Sequence, residues 1–174
     1  MGTVSGLGPR LKWNHYRKIA VDSNCFIYLI EGSPYERFLL SMFRSIERGE
    51  VKAVTSALTI AELMVGPYRS GDRNVQNQYR MALCGFRNLE FRAVDADVAD
   101  LAAKLRVECG LKTPDAIQLA TAMASGADVF VTNDRDFRRA GFPVLFLSPE
   151  GLSDGENETG DADDGGPVGE SEEI

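Results

Sequence analysis

The stretch Leu111 to Phe137, LKTPDAIQLATAMASGADVFVTNDRDF, restricts the folds open to this chain more than any other. Thr113 is a candidate helix cap, Pro114 suits the first helical position, and Asp115 falls in the first turn. Ile117, Leu119, Ala120, Met123 and Ala124 give the predicted buried side of that helix, and Ser125-Gly126 ends it. Asp128 to Val131, DVFV, is too short for a helix and rich in β-formers, so it predicts a strand. Thr132, Asn133 and Asp134 follow at its carboxyl end, where parallel α/β sheets place their ligands. Two carboxylates, Asp115 and Asp134, thus reach one region from adjacent elements. Such a pair calls for a cation.

The rest of the chain has the same alternation. Lys18 to Asp22 predicts a strand and Asn24 to Ile30 a helix closed by Gly32. Pro34 opens a helix to about Arg48, whose stripe of Phe38, Leu39, Met42, Phe43 and Ile46 is read as core, with a dimer seam as the alternative. Val51 to Thr55 is a second strand, and Ser56 caps a helix that carries Glu62 and ends near Gly66-Pro67. A polar segment, Arg69 to Arg80, leads into a helix ending near Gly85. Leu89 to Val94 is the third strand, Asp95 to Cys109 a helix, and Val144 to Leu147 the last strand. Strands separated by helices imply βαβ crossovers: a three-layer α/β/α domain with a five-stranded parallel sheet, over residues 17–149. Residues 1–16 predict a flexible leader, and residues 150–174 a disordered acidic tail.

That tail decides how the charge is read. The net charge is −7, but residues 151–174 hold nine acids and no Lys or Arg. The remainder carries 17 acids against all 19 Lys and Arg, a body near +2 that suits an anionic substrate. The tail is read as solubilising, with competition for the substrate site as the sharper alternative. Cys25, Cys84 and Cys109 form no CxxC pair and read as reduced thiols. The single histidine, His15, precedes the first strand, which argues against a histidine-based triad. With no apolar run of signal-peptide or membrane-span length, the expected location is the cytoplasm.

The acids predicted at strand ends carry the chemistry. Asp22 closes the first strand, Glu62 lies two turns into the helix after the second, and Asp115 and Asp134 flank the fourth. Each alone also fits a structural role, as a helix-start Asp or a solvated Glu. Glu62, however, stands inside the apolar run LTIAELMV, where it needs solvent or a partner. Four carboxylates in one cleft would repel unless a cation compensated. Oxygen ligands without His or Cys favour Mg2+ or Mn2+, and such ions are completed by phosphate oxygens.

VDSNCFIYLIEG at 21–32, SALTIAELMVG at 56–66, TPDAIQLATAMASGADVFVTND at 113–134 and Phe137 resemble the PIN domain, specifically the VapC-like toxin ribonucleases. The resemblance implies strand order 3-2-1-4-5 and a Mg2+- or Mn2+-dependent endoribonuclease. It maps Asp22, Glu62, Asp115 and Asp134 onto the family's acidic quartet as catalytic metal ligands, with Asp22 and Asp115 as direct ligands. Ser23 and Thr132 match its supporting hydroxyl positions. Asp136 stands where some relatives carry a further acid, as an outer metal contact or a helix-start Asp. Asn24 departs from the Ser, Thr or apolar residue of many relatives, without evident effect. The implied partners are an RNA substrate, a small antitoxin and a second copy of the chain. The implied reaction is metal-assisted hydrolysis of an RNA phosphodiester, leaving a 5′-phosphate and a 3′-hydroxyl.

Arg69, Arg73, Arg135, Arg138 and Arg139 flank the acidic positions and are the candidates for gripping RNA. Among rivals, a haloacid-dehalogenase phosphatase needs a second Asp where Asn24 stands, and a phosphoacceptor receiver needs an acidic pair where Ser23 stands. The stronger rival is a PIN-like module that binds RNA or protein without cutting. It has no physical need for four mutually repelling carboxylates.

Overall fold

The computed structural model describes residues 13–148 and, as backbone, residues 151–154. A short 3-10 turn, Trp13–His15, leads into β1 (Lys18–Val21), then α1 (Ser23–Glu31), α2 (Glu36–Glu47), β2 (Lys52–Ser56), α3 (Leu58–Ser70) and α4 (Arg73–Gly85). After these come β3 (Leu89–Arg92), α5 (Ala96–Cys109), α6 (Thr113–Ala124) and β4 (Val129–Thr132). A second 3-10 turn (Arg135–Arg139), β5 (Val144–Ser148) and β6 (Gly151–Asp154) complete the described chain. The sheet order is β3-β2-β1-β4-β5-β6, and the first five strands are parallel.

Strand alternation builds two cores, one on each face. Ile19, Val21, Val129, Val131, Leu145 and Leu147 meet Phe26, Leu39, Met42, Phe43, Ile46, Leu63 and Leu83 from α1 to α4. On the other face Ala20, Val54, Phe130 and Phe146 meet Val98, Ala102 and Leu105 of α5 and Ala116, Leu119 and Ala120 of α6. The layers are therefore α/β/α, as the alternation predicts. The α2 stripe is core: Leu39, Met42, Phe43 and Ile46 are buried, and Phe38 is partly so.

Several local expectations need correction. The helix expected to stop near Gly66-Pro67 runs on to Ser70. Pro67 is buried, its carbonyl accepts from the Ser70 hydroxyl at 2.8 Å, and only Gly71, at φ 70°, ends the helix. Pro costs a helix one hydrogen bond, and burial of its ring offsets that loss. Thr113 is inside α6 rather than capping it, since the cap position falls on Lys112, which makes no side-chain capping bond. On α6, Met123 is 38% exposed while Gln118 and Thr121 are buried, so the helix is turned from the face read in sequence. Finally, residues 151–154, expected within the disordered tail, form β6, antiparallel to β5 with Leu145 opposite Asp154. A hairpin costs little loop entropy and covers the edge that β5 would expose. Of the leader expected over residues 1–16, Trp13–His15 form the 3-10 turn with Trp13 buried, while residues 1–12, like 155–174 of the tail, lie outside the described residues.

At the amino ends of the central strands, Asp128 ties β4 to β1. Its carboxylate accepts from the Arg17 and Lys18 backbone N–H groups at 2.6 and 3.0 Å and from the Arg17 guanidinium at 3.1 Å. These donors, the Lys18 N–H first, hold its carboxyl below the usual range. Asp128→Ala is expected to cost about 1–2 kcal/mol, the scale of lost charge-assisted hydrogen bonds at a half-exposed site. Because the native pKa is lowered, that contribution is present above the unfolded-state value and is lost as pH falls through the folded one. Urea unfolding of wild type and variant at pH 7 and pH 3 checks both the cost and its loss in acid.

Candidate active site

The acidic positions gather where β1 and β4 end and α3 and α6 begin. Asp22 directly follows β1, and its N–H donates to the Val131 carbonyl at 3.0 Å, which pins the residue beside β4. Its carboxylate is only 6% exposed. Oδ2 accepts from the Thr132 hydroxyl at 2.6 Å and the Asn24 amide at 2.8 Å, and Oδ1 from the Ser23 hydroxyl at 3.3 Å. Thr132 in turn accepts from the Asn24 amide at 3.0 Å and the Asp134 N–H at 3.0 Å. One buried hydroxyl therefore links the first and fourth strand ends through three bonds.

Asp134 follows β4 and folds back to accept from the Asp136 N–H at 2.8 Å, which starts the 3-10 turn. Asp115 occupies the first turn of α6, facing both. Asp115, Asp134 and Asp136 each offer a carboxylate oxygen within 4.8 Å of the other two. Asp136 thus belongs to the tightest acidic group, while Asp22 and Glu62 border it. The Glu62 charge acts on both Asp22 and Asp115. The acidic positions read from the sequence, Asp22, Glu62, Asp115 and Asp134, share one region with Asp136.

The electrostatics are those of an uncompensated acidic site. Burial pushes the Asp22 carboxyl from its ordinary 3.8 up to about 6; the Thr132 and Ser23 hydrogen bonds oppose this, and the charges of Glu62 and Asp115 add to it. Burial also raises Asp115, followed by the charge of Asp134, with Lys112 pulling the other way. Among the described residues, no ion pair involves any of the five acids. An all-carboxylate donor set of this kind fits a hard divalent cation such as Mg2+ or Mn2+, and the missing protein cations leave the charge for it.

Two contacts were not legible as functional in the sequence. Asn24 bridges Asp22 and Thr132, as noted. Gln118, one turn after Asp115 on α6, donates to Glu62 Oε2 at 3.3 Å. Helical spacing as read in the sequence left it off the buried face, so it carried no signal there. The five arginines are all exposed, and none is in an ion pair among the described residues. Arg135 and Arg138 lie 5.1 and 6.0 Å from the Phe146 ring centroid, beside Asp134. Arg69 and Arg73 bracket the turn between α3 and α4. Cys25 is buried, Cys109 half-buried and Cys84 exposed, all unpaired. No described helix is long and apolar enough to cross a membrane.

The profile of the PIN domain matches residues 19–143. The chain belongs to the PIN domain family. No curated protein is similar to it in sequence. Among solved structures, a toxin-antitoxin complex from Klebsiella pneumoniae holds a chain 29% identical to this PIN domain, with TM-score 0.57, covering 75% of this chain and 97% of that one. VapBC2 from Rickettsia felis, solved bound to a promoter DNA fragment, has TM-score 0.57 at 18% identity, covering 78% and 99%. FitAcB from Neisseria gonorrhoeae has TM-score 0.56 at 23% identity, covering 75% and 97%. The last two likenesses concern the fold alone.

The raised Asp22 pKa gives a stability signature in the metal-free protein. The native state holds that proton more tightly than the unfolded chain, so stability falls as pH rises from about 4 to about 6 and levels off above. Asp22→Asn removes the penalty. In chelator, the variant is expected to be more stable than wild type at pH 7.5, on the order of 3 kcal/mol for a carboxyl raised from 3.8 to about 6, and equal to it near pH 4. Thermal unfolding at the two pH values measures this; no gain at pH 7.5 would contradict the buried-charge account.

Proposed function

We propose that this PIN domain is a divalent-metal-dependent endoribonuclease, the toxin of a toxin-antitoxin pair. What carries the reading is the convergence of Asp115, Asp134 and Asp136 within 4.8 Å beside the buried Asp22, with no Lys or Arg paired to them among the described residues. Asp115, Asp134 and Asp136 would hold Mg2+ or Mn2+ together with the adjoining Asp22, and Glu62 beside them would complete the set. Such an ion supplies positive charge at a phosphodiester and lowers the pKa of water.

The protein's own part is positioning. Thr132, Asn24 and Ser23 fix Asp22, whose neutral donors orient the carboxylate without cancelling its charge. Asp134 is fixed by its bond from the Asp136 N–H. Arg135 and Arg138, anchored on Phe146 and exposed, stand beside the acids where a substrate backbone would need counter-charge. Arg139, Arg69 and Arg73 extend that positive rim. A single-stranded or looped RNA suits such a rim, because its backbone can be laid across the acidic end of the sheet.

The toxin reading draws on the Klebsiella pneumoniae relative, whose structure is that of a toxin-antitoxin complex. A depression lined by Ile27, Ile30, Leu63, Pro67 and Tyr79 together with Glu31 and Glu62 offers a small antitoxin a seat of mixed apolar and acidic character. Ile30 there is 44% exposed.

With Mn2+, the purified protein is expected to cut RNA, leaving 5′-phosphate and 3′-hydroxyl ends. Asp115→Asn and Asp22→Asn should each slow cleavage by about 100-fold or more, the scale of losing one group that stabilises transition-state charge. Equal cleavage by wild type and variants would mean a contaminant. RNA binding without cleavage by wild type would leave a binding module instead.

The arginine rim makes a separate prediction. Arg135→Ala and Arg138→Ala should each weaken RNA binding across sequences and reduce the slope of log affinity against log salt by about 0.7, the single-strand value per phosphate contact. Fluorescence anisotropy from 50 to 300 mM salt, as an experimental range of roughly the span over which such effects are read, measures it. An unchanged slope would remove these residues from the substrate path.

A further inference from the structure

Gln118 is 3% exposed, on a helix whose other buried residues are Ala116, Leu119, Ala120, Thr121 and Ala122. An amide there must find partners or cost about 1–3 kcal/mol for each group left unpaired. It finds three. Nε2 donates to the Thr59 hydroxyl at 2.9 Å and to Glu62 Oε2 at 3.3 Å, while Oε1 accepts from the Ser56 N–H at 3.4 Å. Thr59 shares a further 2.7 Å bond with Thr55, both hydroxyls being buried. The amide orientation is fixed by these partners: reversed, its oxygen would face the carboxylate and its NH2 the Ser56 N–H.

We propose that Gln118 is a positioning residue for the acidic site: its amide holds Glu62 Oε2 and leaves Oε1 for the metal. This rests on the metal-dependent reading above and extends it to a neutral residue outside the acidic set. Because Gln118 lies one turn after Asp115 on the same helix, α6 sets the placement of two site carboxylates at once, one directly and one through this amide. Glu62 otherwise sits on α3 with several rotatable bonds and no other donor among the described residues. Without the amide, binding an ion would have to immobilise it.

The test uses the full chain and measures Mn2+ affinity by calorimetry, apart from any cleavage. Gln118→Met keeps the length but cannot donate, and is expected to weaken Mn2+ binding about 10–100-fold, the usual effect of losing a residue that orients a metal ligand. RNA cleavage should show a lower kcat with KM unchanged. In a Glu62→Gln background, Gln118→Met should add nothing to the loss of Mn2+ affinity. Thr59→Val disturbs the same buried network while sparing the bond to Glu62, and should lose stability yet keep Mn2+ affinity.

Equal Mn2+ loss in Thr59→Val and Gln118→Met, or additive losses with Glu62→Gln, would overturn the proposal. If Gln118→Met does not fold, the Gln118 side-chain NH2 signals in the wild-type NMR spectrum decide. They should shift on Mg2+ addition and in Glu62→Gln, and their indifference to both overturns it. A wild type that binds no divalent ion would instead refute the metal-dependent reading itself, so the two failures are separable.

Discussion

Carboxylates brought to the open end of a parallel sheet repel one another, and the fold must hold them together without discharging them. This chain does so with neutral donors. Asp22 is gripped by Thr132, Asn24 and Ser23, Asp134 by a backbone N–H, and Glu62 by the Gln118 amide. An arginine in any of these places would have supplied stability and removed the excess negative charge. Neutral hydrogen bonds fix direction and leave the field intact, which is the condition for a site that recruits a cation from solution. The cost is visible in the Asp22 carboxyl at about 6. A protein selected for stability alone would have placed an asparagine there.

The sheet gives this arrangement its rigidity. β1 and β4 are adjacent, so Asp22, which follows β1, and Thr132, which ends β4, are brought within hydrogen-bond distance by strand register: Val21 pairs with Val131. The helices on the two faces then deliver Glu62 and Asp115 from opposite layers. α3 belongs to the face of α1, α2 and α4, and α6 to the other, yet Gln118 reaches from α6 to α3 past the end of β2. At the acidic end, therefore, both layers meet around the sheet rather than through it.

Much of this was legible in the sequence, and the gaps have definite causes. Strand-ending Asp22 and helix-starting Asp115 follow from local pattern, because β periodicity and first-turn acids are short-range signals. Pro67 misled because its cost to a helix is local, whereas the burial that offsets it is tertiary. On α6, nearly every residue from Ala116 to Met123 is small or apolar, so periodicity could not select a face, and Met123 was read as inward while Gln118 faces the core. Gln118 and Asn24 went unassigned for a related reason. An amide carries no chemistry of its own, and its role exists only through the carboxylate it touches. β6 was hidden by composition: Gly151 to Asp154 has little to bury, and its strand state comes from the edge of β5 beside it.

That last strand also decides which way the molecule faces. By reversing direction along β5, it brings Asp154 level with Leu145, near the start of that strand, and β1 likewise begins at this edge beside Asp128. The described chain enters and departs through the same side of the sheet, with the carboxylates at the opposite side. A linkage made beside the start of β1 or at Asp154 is therefore on the side of the sheet away from the carboxylates. Immobilised in that way, the molecule would present its acidic mouth outward to whatever flows past.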